Sequence, residues 1–197
     1  MMVIVPRIAL VSYLDTIPFL YGVGHGTDFR AELSTSDFST SVLDFQQRRA
    51  DLALVPVHVV PSLADARIVT GYCLGASGRG PLDRLLAEEP SSPLAALFAG
   101  PDAPLAGLPT PRKPFAYAVW VAHADTDPDW SEGLQHALTY GLEHTYEAVV
   151  EYGYDRRPYD AYGHLSQLDY IFDNQKRKAL EKFWDSGLKV APRANPG

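Results

Sequence analysis

Ser12, Asp15 and Thr16 stand within five residues of one another in the run RIALVSYLDTIPFLYG (7–22). Small hydroxyls can hold a carboxylate, and an ionised Asp accepts hydrogen bonds or takes a proton as a general base. A second polar turn, Gly75-Ala76-Ser77-Gly78, has glycines that let backbone approach a ligand closely. Each turn follows an apolar run, Ile8 to Val11 and Arg67 to Leu74, so each lies where a strand ends. A helix opens at Pro18, directly after the first turn. In α/β proteins such junctions collect free backbone N–H groups and the positive end of a helix dipole. Ser12, Asp15 and Ser77 are therefore expected to converge on one concave surface at the carboxyl ends of parallel strands. The plainer alternatives are that Ser12 and Thr16 cap the first helix and that Ser77 belongs to a simple turn.

Other reactive residue types are dispersed. The six histidines stand at 25, 58, 123, 136, 144 and 164. His136 and His144 are eight residues apart on one helical stretch, too far for a shared metal, and no carboxylate completes a ligand set. No zinc site is expected from these residues. His123 follows a buried strand and is read as a surface residue or a base. Cys73 is the single cysteine and sits in an apolar run, which predicts a buried, inert thiol. The tyrosines at 140, 146, 152, 154, 159 and 162 read as helix packing and loop residues, and Arg48, Arg49, Arg156 and Arg157 as solvated charges.

The elements that must position these groups alternate between strand and helix over the first third. Strands are expected at Ile8 to Val11, Phe29 to Leu33, Asp51 to Val55 and Arg67 to Leu74, with a short helix from Pro18 to Gly22. Ser39-Thr40-Ser41 is read as the cap of a helix carrying Val42 and Phe45. This β-α-β-α-β order implies a parallel sheet with right-handed crossovers. Residues 80–114 hold 8 of the chain's 16 prolines and no clean strand, apart from a helical turn or two at Leu82 to Glu89. Phe115 to Ala122 is a strand buried on both faces. A long amphipathic helix from Trp130 to Val149 follows, broken at Asp155-Arg156-Arg157-Pro158. A second long helix is expected to carry Leu165, Leu168, Ile171, Phe172, Leu180, Phe183 and Trp184 and to stop at Gly187.

With 197 residues, 46% of them hydrophobic, the chain can bury a substantial core. A net charge of −7 argues against nucleic acid or an anionic membrane as the main partner, but not against a small anion bound by local dipoles. Val3-Ile4-Val5 before Pro6 is too short for a signal sequence, and no run nears the roughly 20 apolar residues that span a bilayer, so a cytoplasmic location is expected. Oligomeric state is left open.

Five blocks, in order, carry a family resemblance: SYLDTIPFLYG (12–22), RADLALVPVHVVP (49–61), IVTGYCLGASG (68–78), AGLP with FAYAVWVA (106–122), and LSQLDYIFDNQKRKALEKFWDSGLKVA (165–191). Together they resemble the chorismate dehydratases of the futalosine route to menaquinone. The resemblance implies a type II periplasmic-binding-protein-like α/β fold with the ligand held in a cleft between two lobes. It also implies a hydro-lyase that converts chorismate, a small dicarboxylate, to 3-[(1-carboxyvinyl)oxy]benzoate with no metal or organic cofactor. On this reading Asp15 is the catalytic candidate, and Ser12, Thr16, Ala76 and Ser77 bind substrate. Residues 1–79 and 115–197 form a discontinuous main lobe. Residues 80–114 form a much reduced second lobe or a Pro-rich linker, because the family's Ser/Thr-rich and Gly-Asp turns of that lobe are missing. Ser39-Thr40-Ser41-Val42, the closest string, falls in the first lobe.

Asp15 replaces the family's Asn. A carboxylate about 4 Å from a substrate carboxylate costs roughly 4 kcal/mol at an effective dielectric of 20 and about 1 kcal/mol in water. A non-catalytic small-anion-binding module is thus the competing reading. A further one is the sister lyase that makes dihydroxynaphthoate, which needs a cleft histidine that His58 or His123 could supply.

Overall fold

The computed structural model describes residues 4–26, 28–88, 90–98, 102–105, 113–153 and 158–185. Five strands form one mixed sheet: β1 (Arg7–Val11), β2 (Glu32–Ser36), β3 (Leu52–Pro56), β4 (Ala66–Ala76) and β5 (Phe115–His123), in the order β2-β1-β3-β5-β4. β1 pairs in parallel with β2 and β3, while β5 runs antiparallel between β3 and β4. The carboxyl ends of β1 to β4 thus share one edge. β5 is buried at all nine residues, as its unbroken apolar run requires.

Helices cover both faces: α1 (Ile17–His25), α2 (Phe38–Gln46), α3 (Arg79–Glu88), α4 (Pro93–Ala96), α5 (Pro128–Glu143), α6 (Thr145–Tyr152), α7 (Pro158–Leu165) and α8 (Asn174–Asp185). α1 and α5 touch backbone to backbone. A Cβ at Gly22 would lie 2.0 Å from the Ala137 carbonyl oxygen, and one at Gly141 would lie 1.9 Å from that of Pro18. Glycine at these two positions is what lets α1 and α5 pack this closely.

Four expectations are corrected here. β2 begins at Glu32 rather than Phe29, because its register is set by pairing with β1, from Arg7 with Glu32 to Val11 with Ser36. Asp37, not Ser39-Thr40-Ser41, caps α2: its carboxylate accepts from the Thr40 N–H at 2.7 Å. Ser41 is buried, and its hydroxyl donates to the Leu54 carbonyl at 2.8 Å, tying α2 to β3. The helix from Trp130 breaks at His144, where the ring Nδ1 lies 2.8 Å from the Tyr140 carbonyl and φ/ψ become −112/33.

The second long helix is also two helices. Residues 169–172 instead run along the free edge of β4: the Asp169 N–H donates to Gly75, the Cys73 N–H to Tyr170 and the Phe172 N–H to Gly71, each at 2.8 Å. An exposed strand edge needs partners, and this segment supplies them. The expected breaks at Asp155-Arg156-Arg157 and Gly187, and the AGLP string, lie outside the described residues.

Among the described residues between 80 and 114 there are two helices, α3 and α4, and no strand. Leu82, Leu94, Leu97 and Leu105 join the same apolar core as the sheet, and Phe98 packs edge-on against Tyr117 with ring centroids 5.0 Å apart. Cys73 lies fully buried in that core, and burial pushes its thiol pKa well up.

Candidate functional site

The turn after β1 is closed in on itself. The Ser12 N–H donates to the Ser36 carbonyl at 3.0 Å, continuing the β1–β2 ladder past its end. Thr16, 1% exposed, donates its hydroxyl proton back to the Val11 carbonyl and accepts from the Tyr13 N–H at 3.2 Å. Asp15 is 3% exposed, and its Oδ1 lies 2.8 Å from Nε2 of His164, itself 4% exposed, on α7. Tyr170 donates to the Asp15 carbonyl at 2.7 Å. Burial first, and the nearby Asp15 charge second, hold the Tyr170 phenol well above its ordinary pKa, so it stays a donor. The sharp entry into α1 thus buries a carboxylate together with an imidazole. Sequence reasoning missed His164, because 149 residues separate it from Asp15 and no local pattern joins them.

The turn after β3 differs. Its backbone is pinned: the Val57 N–H donates to the Tyr117 carbonyl at 3.0 Å, the Trp184 indole donates to Val57 at 2.9 Å, and the Ser62 hydroxyl donates to Val59 at 2.7 Å. His58, half-buried between these anchors, has a buried Nδ1 with no hydrogen-bond partner among the described residues. Burial lowers its pKa, so the ring is biased toward neutral.

His58 opens onto a cavity of about 650 Å³ at the carboxyl edge of the sheet. One wall is the start of α2, with Asp37, Ser39 and Val42; the other is the α4 segment, with Ser91, Ser92 and Leu97. This size and place suit a small ligand. Among its described lining residues Asp37 is the one charged side chain, and there is no Lys or Arg. Hydrogen bonds from Thr40 hold the Asp37 carboxyl below its usual pKa, so it is ionised. Ser92 is engaged at its hydroxyl, which caps α4 by accepting from the Ala95 N–H at 2.9 Å.

The expected site residues fall in three places. Ser12 stands at the end of β1, between β2 and β3, whose following turns bound the cavity. Asp15 and Thr16 face inward, and none of Ser12, Asp15, Thr16, Ala76 and Ser77 is among the described lining residues of the cavity. Ala76 is buried at the end of β4 and Ser77 is exposed just after it; two strand spacings, about 10 Å, separate β4 from β3. His123 sits at the opposite edge of the sheet, paired with Ala66 and stacked on Phe45 at 3.9 Å, so of His58 and His123 the fold brings His58 to the cleft. A second depression of about 410 Å³, beside Lys113, Lys178 and Lys182, is walled by apolar lysine stems. Among the described residues no cluster of His, Cys, Asp or Glu could hold a metal, and no helix is long and apolar enough to cross a membrane.

No protein-family model matches the chain, and no curated protein matches it in sequence. Solved structures do resemble it. Protein AF1704 from Archaeoglobus fulgidus superposes with a TM-score of 0.62 at 13% identity, over 91% of this chain and 95% of that one. The CA3427 gene product of Candida albicans, described as having the generic periplasmic binding protein fold, gives 0.59 at 10% identity, over 98% and 92%. The alkanesulfonate-binding protein SsuA of Xanthomonas axonopodis pv. citri, bound to MOPS, gives 0.52 at 10% identity, over 94% of each chain. The protein therefore has a periplasmic-binding-protein-like α/β fold, with one mixed five-stranded sheet and a reduced second lobe.

Proposed function

We propose that this chain is a chorismate dehydratase-type protein that takes a small, carboxylate-bearing ring into the cleft between α2 and the α4 segment. The observation that carries the proposal is the 650 Å³ cavity at the carboxyl edge of the sheet, bounded by the turns after β2 and β3, the two strands that flank β1 and its family-like block. In this reading Ser12, at the end of β1, and the backbone at Ala76 and Ser77, at the end of β4, orient the substrate carboxylates from outside the described lining of the cavity. Loss of the ring proton next to a carboxylate, together with the ring hydroxyl, releases water and aromatises the ring. The protein's part is orientation and charge stabilisation. Asp15, enclosed with His164, is a positioning residue that holds the turn. Incubation with chorismate, followed by the rise in aromatic absorbance, tests the proposal. Turnover that falls in Ser12→Ala supports it; chorismate left intact by the wild type overturns the lyase reading.

A second reading, ligand binding without turnover, is favoured by two observations: the carboxylate of Asp15 is withdrawn into the interior, and the described cleft lining carries no cation. Saturable binding of chorismate or benzoate with no product would establish it.

A further inference from the structure

The cleft presents a problem of charge. Any carboxylate-bearing ligand enters a site whose described lining holds one ionised Asp and no Lys or Arg. An uncompensated anion pair in a half-buried cavity is unfavourable. One lining side chain can change this balance. His58 can become cationic, is held by a turn anchored to β5 and α8, and has a buried Nδ1 without a partner among the described residues. With Nδ1 enclosed, Nε2 is the nitrogen that a ligand can reach.

We propose that His58 is the ligand-recognition residue of the cleft, and that a carboxylate enters together with a proton taken up by its imidazole. The proposal rests on the cleft being the ligand site, and deepens that reading by naming how charge is balanced. The groups facing His58 are consistent with it. α2 contributes the Asp37 carboxylate and the α4 segment contributes uncharged Ser91 and Ser92, while the Trp184 indole of α8 holds the preceding carbonyl, that of Val57. Without ligand, burial lowers the pKa of the ring and biases it toward the neutral form. A ligand carboxylate adds the missing favourable term, so the imidazolium and the anion stabilise each other. The recognised class is a ring bearing at least one carboxylate, bound as an acid in net terms although both partners are charged in the site.

Titration calorimetry decides this with the whole chain, using benzoate, chorismate and the uncharged benzamide as probes in two buffers of different ionisation enthalpy, from pH 5.5 to 7.5. Benzoate and chorismate are expected to bind with uptake of up to one proton, and their affinity should rise by up to tenfold per pH unit as pH falls. Benzamide should show neither effect. His58→Gln should remove proton uptake and the pH dependence for benzoate, while benzamide affinity changes less than about threefold. Benzoate binding by the wild type without proton uptake overturns the proposal whether or not the variant folds. Uptake that persists in His58→Gln overturns it too. Failure of all three probes to bind the wild type overturns the cleft reading itself, and this inference with it.

Discussion

The turns after β1 and β3 leave the same sheet edge from neighbouring strands, yet their polar groups end in different conditions. After β1, Asp15, Thr16 and Tyr170 are all buried or half-buried and all hydrogen-bonded, with His164 brought from α7 to complete the set. After β3 the backbone is equally well held, but among the described residues the buried Nδ1 of His58, beside a cavity, has no partner. Buried polar groups are normally satisfied, so the imidazole after β3 is held less completely than the groups after β1, and its other nitrogen, Nε2, is left to the cavity. The first turn builds the fold, and the second leaves room for chemistry.

The largest test breaks the closed turn. Asp15→Ala takes from the buried His164 imidazole its carboxylate partner, and loss of one partner of a buried pair costs about 3 kcal/mol or more. Urea denaturation should show that loss, while Asp15→Asn, which keeps the shape and an acceptor, should lose less. A cost below about 1 kcal/mol for the alanine variant would mean that the turn is not sealed by this pair.

The next test acts on the helix that follows the same turn. Gly22→Ala sets a methyl 2.0 Å from the Ala137 carbonyl oxygen, a backbone atom that cannot rotate away. Overpacking of this kind costs about 1–3 kcal/mol and should appear as a lower thermal midpoint. Because α1 leaves the Ser12 turn directly, affinity for a cleft ligand should fall as well. An unchanged midpoint would show that α1 and α5 are less closely packed than the geometry requires.

These two sites also show what was legible in the sequence. The Gly22 position was visible as part of a motif, but its reason, contact with a helix more than a hundred residues away, was not. Strand identity was readable wherever apolar runs were unbroken, as at β1, β3 and β5. It failed by three residues at β2, an exposed edge strand whose place is set by pairing rather than by pattern. Periodicity also merged helices. Ile171 and Phe172 fit a helical stripe, yet tertiary hydrogen bonds draw 169–172 onto the edge of β4. Ser12 could be placed at the strand edge from local order alone. The inward turn of Asp15 could not, because it depends on His164, and the cleft role of His58 depends on packing by Trp184 and Tyr117.

On the open side, Asp37→Ala should separate stability from binding. The change removes the α2 cap, worth about 1 kcal/mol. It also removes the one carboxylate among the described lining residues, so benzoate affinity should rise two- to fivefold even as stability drops. Calorimetry and urea denaturation on the same samples would show the opposite signs. A parallel loss of both would indicate that the start of α2 shapes the cleft more than it charges it.

The smallest effect is the most diagnostic of the contrast. Burial lowers the pKa of His58 in the folded chain below the ordinary histidine value of about 6.5. Between those two values the unfolded chain binds more protons than the folded one, so stability rises with pH. Acidification from about pH 6.5 should therefore cost the wild type stability, and His58→Gln should lose less over the same range. The half-buried ring is partly solvated, so the difference should stay below about 1 kcal/mol. Taking the difference between the two proteins cancels the other five histidines, whose titration they share. Saturating benzoate should then shrink or invert this difference, because a bound carboxylate favours the charged ring and moves the folded-state value upward. Urea midpoints at pH 5.5 and 7.0, with and without benzoate, give the four numbers required. Equal pH slopes in the two proteins without ligand would show that the ring is not held neutral by its surroundings. The turn after β3 would then be as fully satisfied as the turn after β1.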